Sequence, residues 1–91
     1  MWYAYILETR KGTFYTGITN NVARRLAEHA QGRGARYTRI YGVRELLYTE
    51  EFPSRGLALK REAQIKALSR ASKIALIKSA RGTLDAEGQG L

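Results

Sequence analysis

The sequence contains no cysteine, a single histidine and only eight acidic residues among 91. Without cysteine there are no disulfides, no cysteine-based zinc sites, no iron–sulfur clusters and no thiol nucleophile. One histidine, His29, excludes a histidine-rich metal site and a relay through two imidazoles. The longest apolar run, Trp2 to Leu7, is far too short to span a bilayer, and no basic n-region precedes it. The expectation is a cytoplasmic protein without a membrane partner. Internal repeats and a second domain are also missing. A chain of 91 residues buries one modest core, so a large multi-part active site is excluded and any chemistry rests on a few side chains.

What is present is basic. Sixteen Lys and Arg against eight Asp and Glu give a net charge of +8, and eleven of the sixteen are arginine, whose planar fork matches phosphate. Hydrophobic residues at 44% and charged residues at 26% are ordinary for a globular chain. The charge excess points to a polyanion, above all nucleic acid. The plainer alternative is a basic protein that is merely soluble. A membrane-surface helix is disfavoured, because the bases are spread over several elements and not along one helix face.

The pattern predicts an α+β fold, a small sandwich in which helices pack on a three-stranded antiparallel sheet in the order ββαβαα. Residues 2–7 read as a strand buried on both faces, 14–18 as its hairpin partner across the turn Thr9-Arg10-Lys11-Gly12, and 45–50 as a half-buried third strand. A first helix is expected over 22–31, behind the caps Thr19-Asn20-Asn21, with Val22, Leu26 and Ala30 facing inward. Residues 32–42 have no clear period and read as a basic loop. Pro53, at a first-turn position, opens a second helix over 54–68 with the stripe Leu57, Ile65 and Leu68. A third helix spans 70–80 and stops at Gly82. The domain is therefore placed at 1–81, with a flexible tail over 82–91.

Several side chains could carry chemistry. Strand alternation puts Tyr5 on one face of the first strand and Tyr15 with Gly17 on one face of the second. If register pairs these faces, the tyrosines converge beside a patch left bare by Gly17; the alternative is ordinary tyrosine packing. Arg25 and His29 share one side of the first helix at i and i+4, either as functional groups or as a helix shoulder over the core. Arg24 points elsewhere, as a general phosphate contact. Glu62, among Lys60, Arg61 and Lys66, is either a helix ion pair or a ligand for Mg²⁺, which takes one or two carboxylates and keeps several waters. Together such groups suit phosphodiester hydrolysis: a cation for the developing charge, an arginine for the phosphate and a tyrosine as proton acceptor if positive surroundings lower its pKa.

The blocks Tyr3-Ala4-Tyr5-Ile6-Leu7, Tyr15-Thr16-Gly17-Ile18-Thr19, Arg24-Arg25-Leu26-Ala27-Glu28-His29, Gly34-Ala35-Arg36-Tyr37-Thr38 and Leu59-Lys60-Arg61-Glu62-Ala63-Gln64-Ile65-Lys66 occur in order. The ordered set resembles a GIY-YIG nuclease domain, in particular the stand-alone bacterial proteins made of little else, over about Tyr3 to Ile77. The resemblance implies that Tyr5 and Tyr15 flank the attacking water, one of them as its base. It implies that Arg25 binds the scissile phosphate, that His29 helps bind or relay a proton, and that Glu62 anchors one divalent ion, Mg²⁺ or Mn²⁺. Gly17 matches the motif glycine. The first motif lacks its glycine here, the second has Thr16 for isoleucine, and no asparagine follows Asn21, where many members carry one in the last helix.

Three functions compete on these grounds. The first is a metal-dependent endonuclease acting on DNA. The second is a nucleic-acid-binding module without cleavage, working through a protein partner. The third is an interaction domain whose charge is incidental. Glu62 favours the first over the second, since a carboxylate repels phosphates unless a cation intervenes. Arg33, Arg36, Arg39 and Arg44, interleaved with Tyr37 and Tyr41, argue against the third. With Gly17 and Arg24, the residues Arg33, Arg36, Tyr37 and Arg39 form the expected nucleic-acid-binding set, suited to single-stranded or branched DNA, while bulk electrostatics would serve duplex equally.

Overall fold

A computed structural model describes residues 1–89, with side chains described as far as Ala80. Its elements are β1 (Trp2–Glu8), β2 (Phe14–Thr19), α1 (Val22–Ala30), α2 (Arg36–Tyr41), β3 (Glu45–Phe52), α3 (Arg55–Lys66) and α4 (Arg70–Gln89). The sheet is antiparallel with order β2-β1-β3. The most apolar strand is therefore the central one, and Ala4, Tyr5, Ile6 and Leu7 are all buried. The ββαβαα sandwich is the fold observed, with one short helix, α2, added where the sequence shows no period. No helix among the described residues is long and apolar enough to cross a membrane.

Alternation along β1 divides the molecule into two layers of side chains. Ala4 and Ile6 point to one face and form the apolar core with Ile65 of α3 and Ile77 of α4, flanked by Phe14, Ile18, Leu47, Tyr48, Phe52 and Leu76. Tyr5 and Leu7 point to the other face, against Val22, Arg25 and Leu26 of α1 and Leu46 of β3. A bulge in β3 serves this division. Ile6 pairs with Tyr48 and Leu7 with Leu46, so Leu47 is the extra residue, and it packs with Tyr48 on the α3–α4 side. The hairpin turn closes through Thr9 N–H to Thr13 O at 2.8 Å and Gly12 N–H to Thr9 O at 2.9 Å, with Gly12 at φ +88°.

Capping sets the helix starts. Asn21 Oδ1 accepts from Arg24 N–H at 3.0 Å, and Ser54 Oγ accepts from Leu57 N–H at 3.3 Å. Ser54 is thus the cap of α3, and Pro53 lies outside the helix, not in its first turn as expected. Two stripes also shift. Ala30 is exposed, and its neighbour His29 is the buried residue of α1. Leu57 is 46% exposed, while Ala58 and Ile65 carry the buried side of α3. Val22 and Leu26 of α1 and Ile65 of α3 keep their expected inward side, and only Ala30 and Leu57 give way to their neighbours His29 and Ala58.

Helix α4 continues through Gly82 to Gln89, where a stop and a loose tail were expected. A helical glycine costs only about 1 kcal/mol relative to alanine, so Gly82 by itself does not end the helix. Residues 90–91 of the expected tail lie outside the described residues.

The two exposures separate core from surface in a measurable way. Ile6→Ala should lower the free energy of urea unfolding by about 3 kcal/mol, as removal of fully buried methylenes does. Leu57→Ala should cost about 1 kcal/mol or less. Similar costs for the two would contradict the helix phase described.

Candidate active site

Register brings the tyrosines together. Tyr5 stands directly opposite Gly17, and Leu7 opposite Tyr15, so Tyr5 and Tyr15 are diagonal neighbours with ring centroids 6.3 Å apart. A Cβ at position 17 would lie 2.6 Å from Tyr5 Oη and 2.7 Å from its Cζ. The patch expected to be bare above Gly17 is therefore filled by the Tyr5 ring. Gly17 is buried and seats the tyrosine; it does not offer its backbone to a ligand.

The Tyr5 ring leads to His29, which is 1% exposed. Tyr5 Oη is 2.8 Å from His29 Nε2, and His29 Nδ1 is 2.6 Å from Thr38 Oγ1. Thr38 in turn donates to the carbonyl of Ala35 at 3.0 Å. With the imidazole neutral, only one arrangement of protons satisfies all three bonds. The single hydroxyl hydrogen of Thr38 goes to Ala35, so Thr38 Oγ1 accepts from Nδ1–H. Nε2 is then an acceptor, and the Tyr5 hydroxyl donates to it. His29 is thereby held in the Nδ1–H tautomer, with its basic nitrogen aimed at Tyr5.

Gly34 makes this burial feasible, since a Cβ there would stand 2.2 Å from His29 Nδ1. Gly34 and Thr38 thus hold His29 in place, a part that reading single residues missed. They lie within the block Gly34-Ala35-Arg36-Tyr37-Thr38, so a signal was present without a role attached. Tyr15 completes the cluster, its ring meeting His29 edge-on at 5.2 Å.

Charge closes in from two helices. Arg25 of α1 lines the same shallow depression as Tyr5, its side chain 30% exposed, with one 3.5 Å contact from Nη1 to Glu28 Oε1. Glu62 of α3 has a 19% exposed side chain and lies 3.7 Å from Lys66 Nζ. Burial pushes the Tyr5 hydroxyl up to about 12, against the opposing pull of Arg25. Burial, and then the Arg25 charge, lower His29 to about 4. Both groups are neutral at neutral pH, as the hydrogen-bond chain requires.

Glu62 fits a divalent ion of the magnesium type. Its carboxylate is a hard oxygen donor with 19% of the side chain exposed, reachable from solvent. Ions of that type bind through one or two carboxylates, substrate phosphate and water; among the described residues no three His, Cys, Asp or Glu side chains gather into a cage.

The expected nucleic-acid-binding residues are only partly brought together. Helical spacing in α2 separates what the sequence interleaves. Tyr37 and Tyr41 face the hairpin: Tyr37 lies nearly parallel to Tyr15, at 20° and 6.3 Å, its hydroxyl donates to Thr13 Oγ1, and Lys11 Nζ sits 4.6 Å over the Tyr41 ring. Arg36 and Arg39 lie on the outer, exposed side, and Arg33 contacts Gln31. Arg24 is exposed and bound to Asn20 Oδ1 at 2.8 Å. Arg44 belongs to the sheet end, where it pairs with Glu8 at 3.9 Å.

The profile of the GIY-YIG catalytic domain matches residues 1–75. A UPF0213 protein of Natronomonas pharaonis is 51% identical over 75 residues, which cover 82% of this chain and 88% of that protein. A UPF0213 protein of Halobacterium salinarum is 50% identical over 76 residues, covering 84% and 99%. The solution NMR structure of a UPF0213 protein from Bacillus halodurans is similar with a TM-score of 0.55 and 46% identity, over 86% of this chain and 84% of that one.

The buried imidazole generates a spectroscopic prediction. His29 should show a pyrrole-type ¹⁵N shift at Nδ1 and a pyridine-type shift at Nε2, and should titrate near pH 4, not near its ordinary 6.5. Its folded pKa lies below the unfolded value, so stability present above about pH 6.5 should fall as pH drops toward 4. Gly34→Ala should displace the ring and raise the midpoint. Titration of the wild type near 6.5 would contradict the arrangement.

Proposed function

The chain belongs to the GIY-YIG catalytic-domain family, and on that premise we propose that it is a metal-dependent endonuclease that hydrolyses DNA phosphodiester bonds. The observation that carries this reading is the one-way chain from the Tyr5 hydroxyl through His29 to Thr38, laid beside Arg25. Binding alone has no use for a buried neutral base aimed at a tyrosine.

Arg25 holds the non-bridging oxygens of the scissile phosphate with the guanidinium donors that Glu28 leaves free. Glu62 holds the Mg²⁺ or Mn²⁺ ion. When bound, that ion polarises the phosphoryl oxygen and stabilises the leaving oxygen. Tyr15, half-buried against His29, orients the attacking water.

Tyr5 and His29 act on this water as a pair. The Tyr5 hydroxyl, pushed up to about 12, supplies no phenolate at neutral pH, and His29, with both ring nitrogens already bonded to Tyr5 and Thr38, reaches the water only through Tyr5. As Tyr5 accepts the water's proton, its own proton moves along the 2.8 Å bond to His29 Nε2. The imidazolium then stays hydrogen-bonded to Thr38. Arg25 is the second cause of the low proton affinity of His29. A phosphate on Arg25 offsets that charge, so substrate makes His29 a better acceptor when it is needed.

Cutting of labelled single-stranded, duplex and branched DNA in Mg²⁺ or Mn²⁺ tests this reading. Glu62→Ala and Arg25→Ala should each lower the rate by about 10²–10³-fold, the scale for loss of one group that stabilises transition-state charge. Tyr5→Phe and His29→Ala should be comparably slow, and the double variant no slower than either, because the two act as one unit. Salt-dependent binding with no cutting on any substrate would overturn the reading and favour a nucleic-acid-binding module that acts with a partner.

A further inference from the structure

Beside the active site runs an open groove of about 260 Å³, lined by Phe14, Tyr15, Thr16, Tyr37, Lys66 and Lys73. Tyr15 ties it to the site through its edge contact with His29. Tyr37, 37% exposed, adds aromatic surface. Lys66 comes from α3 and Lys73 from α4. Lys73 has no ion-pair partner among the described residues, whereas Lys66 Nζ lies 3.7 Å from Glu62 Oε2. Lys66 thus stands between the carboxylate and the groove.

It cannot serve both fully. A divalent cation on Glu62 repels the ammonium beside it. The pair is easily broken, because the Lys66 side chain is 58% exposed and an exposed i,i+4 pair is weak. Lysines with aromatic rings are the combination that takes a single strand, the charges following the backbone and the rings taking the bases.

Taking Glu62 as the ion's ligand, as above, we propose that Lys66 is an exchangeable counter-ion. It neutralises Glu62 while the divalent ion is absent. Once the ion binds, Lys66 turns into the groove, where with Lys73 it holds a phosphate of single-stranded DNA next to the one that is cut, with an unpaired base against Tyr37. Metal and DNA then strengthen each other's binding, each by the same factor.

Mn²⁺ binding to the DNA-free protein, followed by the EPR signal of the free ion, gives the first readout. Lys66→Gln should bind Mn²⁺ about two- to fivefold more tightly than wild type, the measure of one exposed ion pair. Lys73→Gln, whose lysine does not pair with Glu62, should leave the affinity unchanged. The second readout is anisotropy of a labelled single-stranded oligonucleotide over a salt series, in the Tyr5→Phe background so that the strand stays intact. Mn²⁺ should steepen the salt slope by about 0.7, one phosphate contact on a single strand. Lys66→Gln should abolish that change, and Lys73→Gln should flatten the slope with and without the ion. Equal Mn²⁺ affinity in wild type and Lys66→Gln, or a slope lowered by Lys66→Gln to the same extent with and without Mn²⁺, overturns the exchange and leaves Glu62 as ligand. A wild type that binds no Mn²⁺, or binds it as well in Glu62→Gln, overturns the metal reading and the exchange with it. The same slope change on duplex alone would put the contact on paired DNA and overturn the single-strand assignment.

Discussion

The site depends on burying one neutral histidine. Burying an imidazole is costly unless both ring nitrogens are bonded, and His29 is 1% exposed with Tyr5 on one nitrogen and Thr38 on the other. Two glycines make the room. At position 17 a Cβ would collide with Tyr5, and at position 34 it would collide with the imidazole. The six-residue helix α2, which has no side-chain N-cap, exists in this context: Thr38 reaches inward to His29, and Tyr37 stacks on Tyr15 and bonds the hairpin at Thr13. Histidine, two tyrosines, threonine and two glycines form one packed unit, and moving any of them disturbs the proton arrangement.

The two faces of the sheet divide the work. Ala4 and Ile6 with Ile65 and Ile77 give a small apolar core that supplies stability without polar demands. The opposite face spends its positions on Tyr5, Gly17, His29 and Arg25, which pack less apolar surface and form the hydrogen-bonded site on which the proposed reaction rests. Glu62 arrives from α3, a helix anchored on the apolar side by Ala58 and Ile65. Four of the six acids with described side chains are engaged: Glu8, Glu28, Glu50 and Glu62 each face an Arg or Lys. What remains is a positive surface from Arg24, Arg33, Arg36 and Arg39, suited to drawing in a polyanion over several ångströms at low salt.

Much of this was legible in the sequence, and the gaps have physical causes. Strands β1 and β2 announce themselves by aromatic and branched residues around a glycine turn, and α1 by its asparagine cap. The helix α2 was not legible, because Arg36–Tyr41 has no apolar period and is held by partners distant in the chain. Ala30 was expected inside and His29 at the shoulder. Composition favours the alanine, but the hydrogen bonds to Tyr5 and Thr38 bring in the histidine. The sequence marks Gly17 by the space it leaves, and only register shows that Tyr5 fills it. Glu62 illustrates the limit most clearly. Its surroundings leave a helix ion pair and a metal ligand both open, and the ion pair with Lys66 is there; only the ordered set of motifs favours the ligand over the pair.

A crystal structure of the Tyr5→Phe protein with Mn²⁺ and a single-stranded oligonucleotide tests the central claim most directly. The account predicts anomalous density for manganese on the Glu62 carboxylate and an intact phosphate between that ion and Arg25, within reach of position 5. Manganese bound away from Glu62, or DNA phosphates that leave Arg25 untouched, would contradict it.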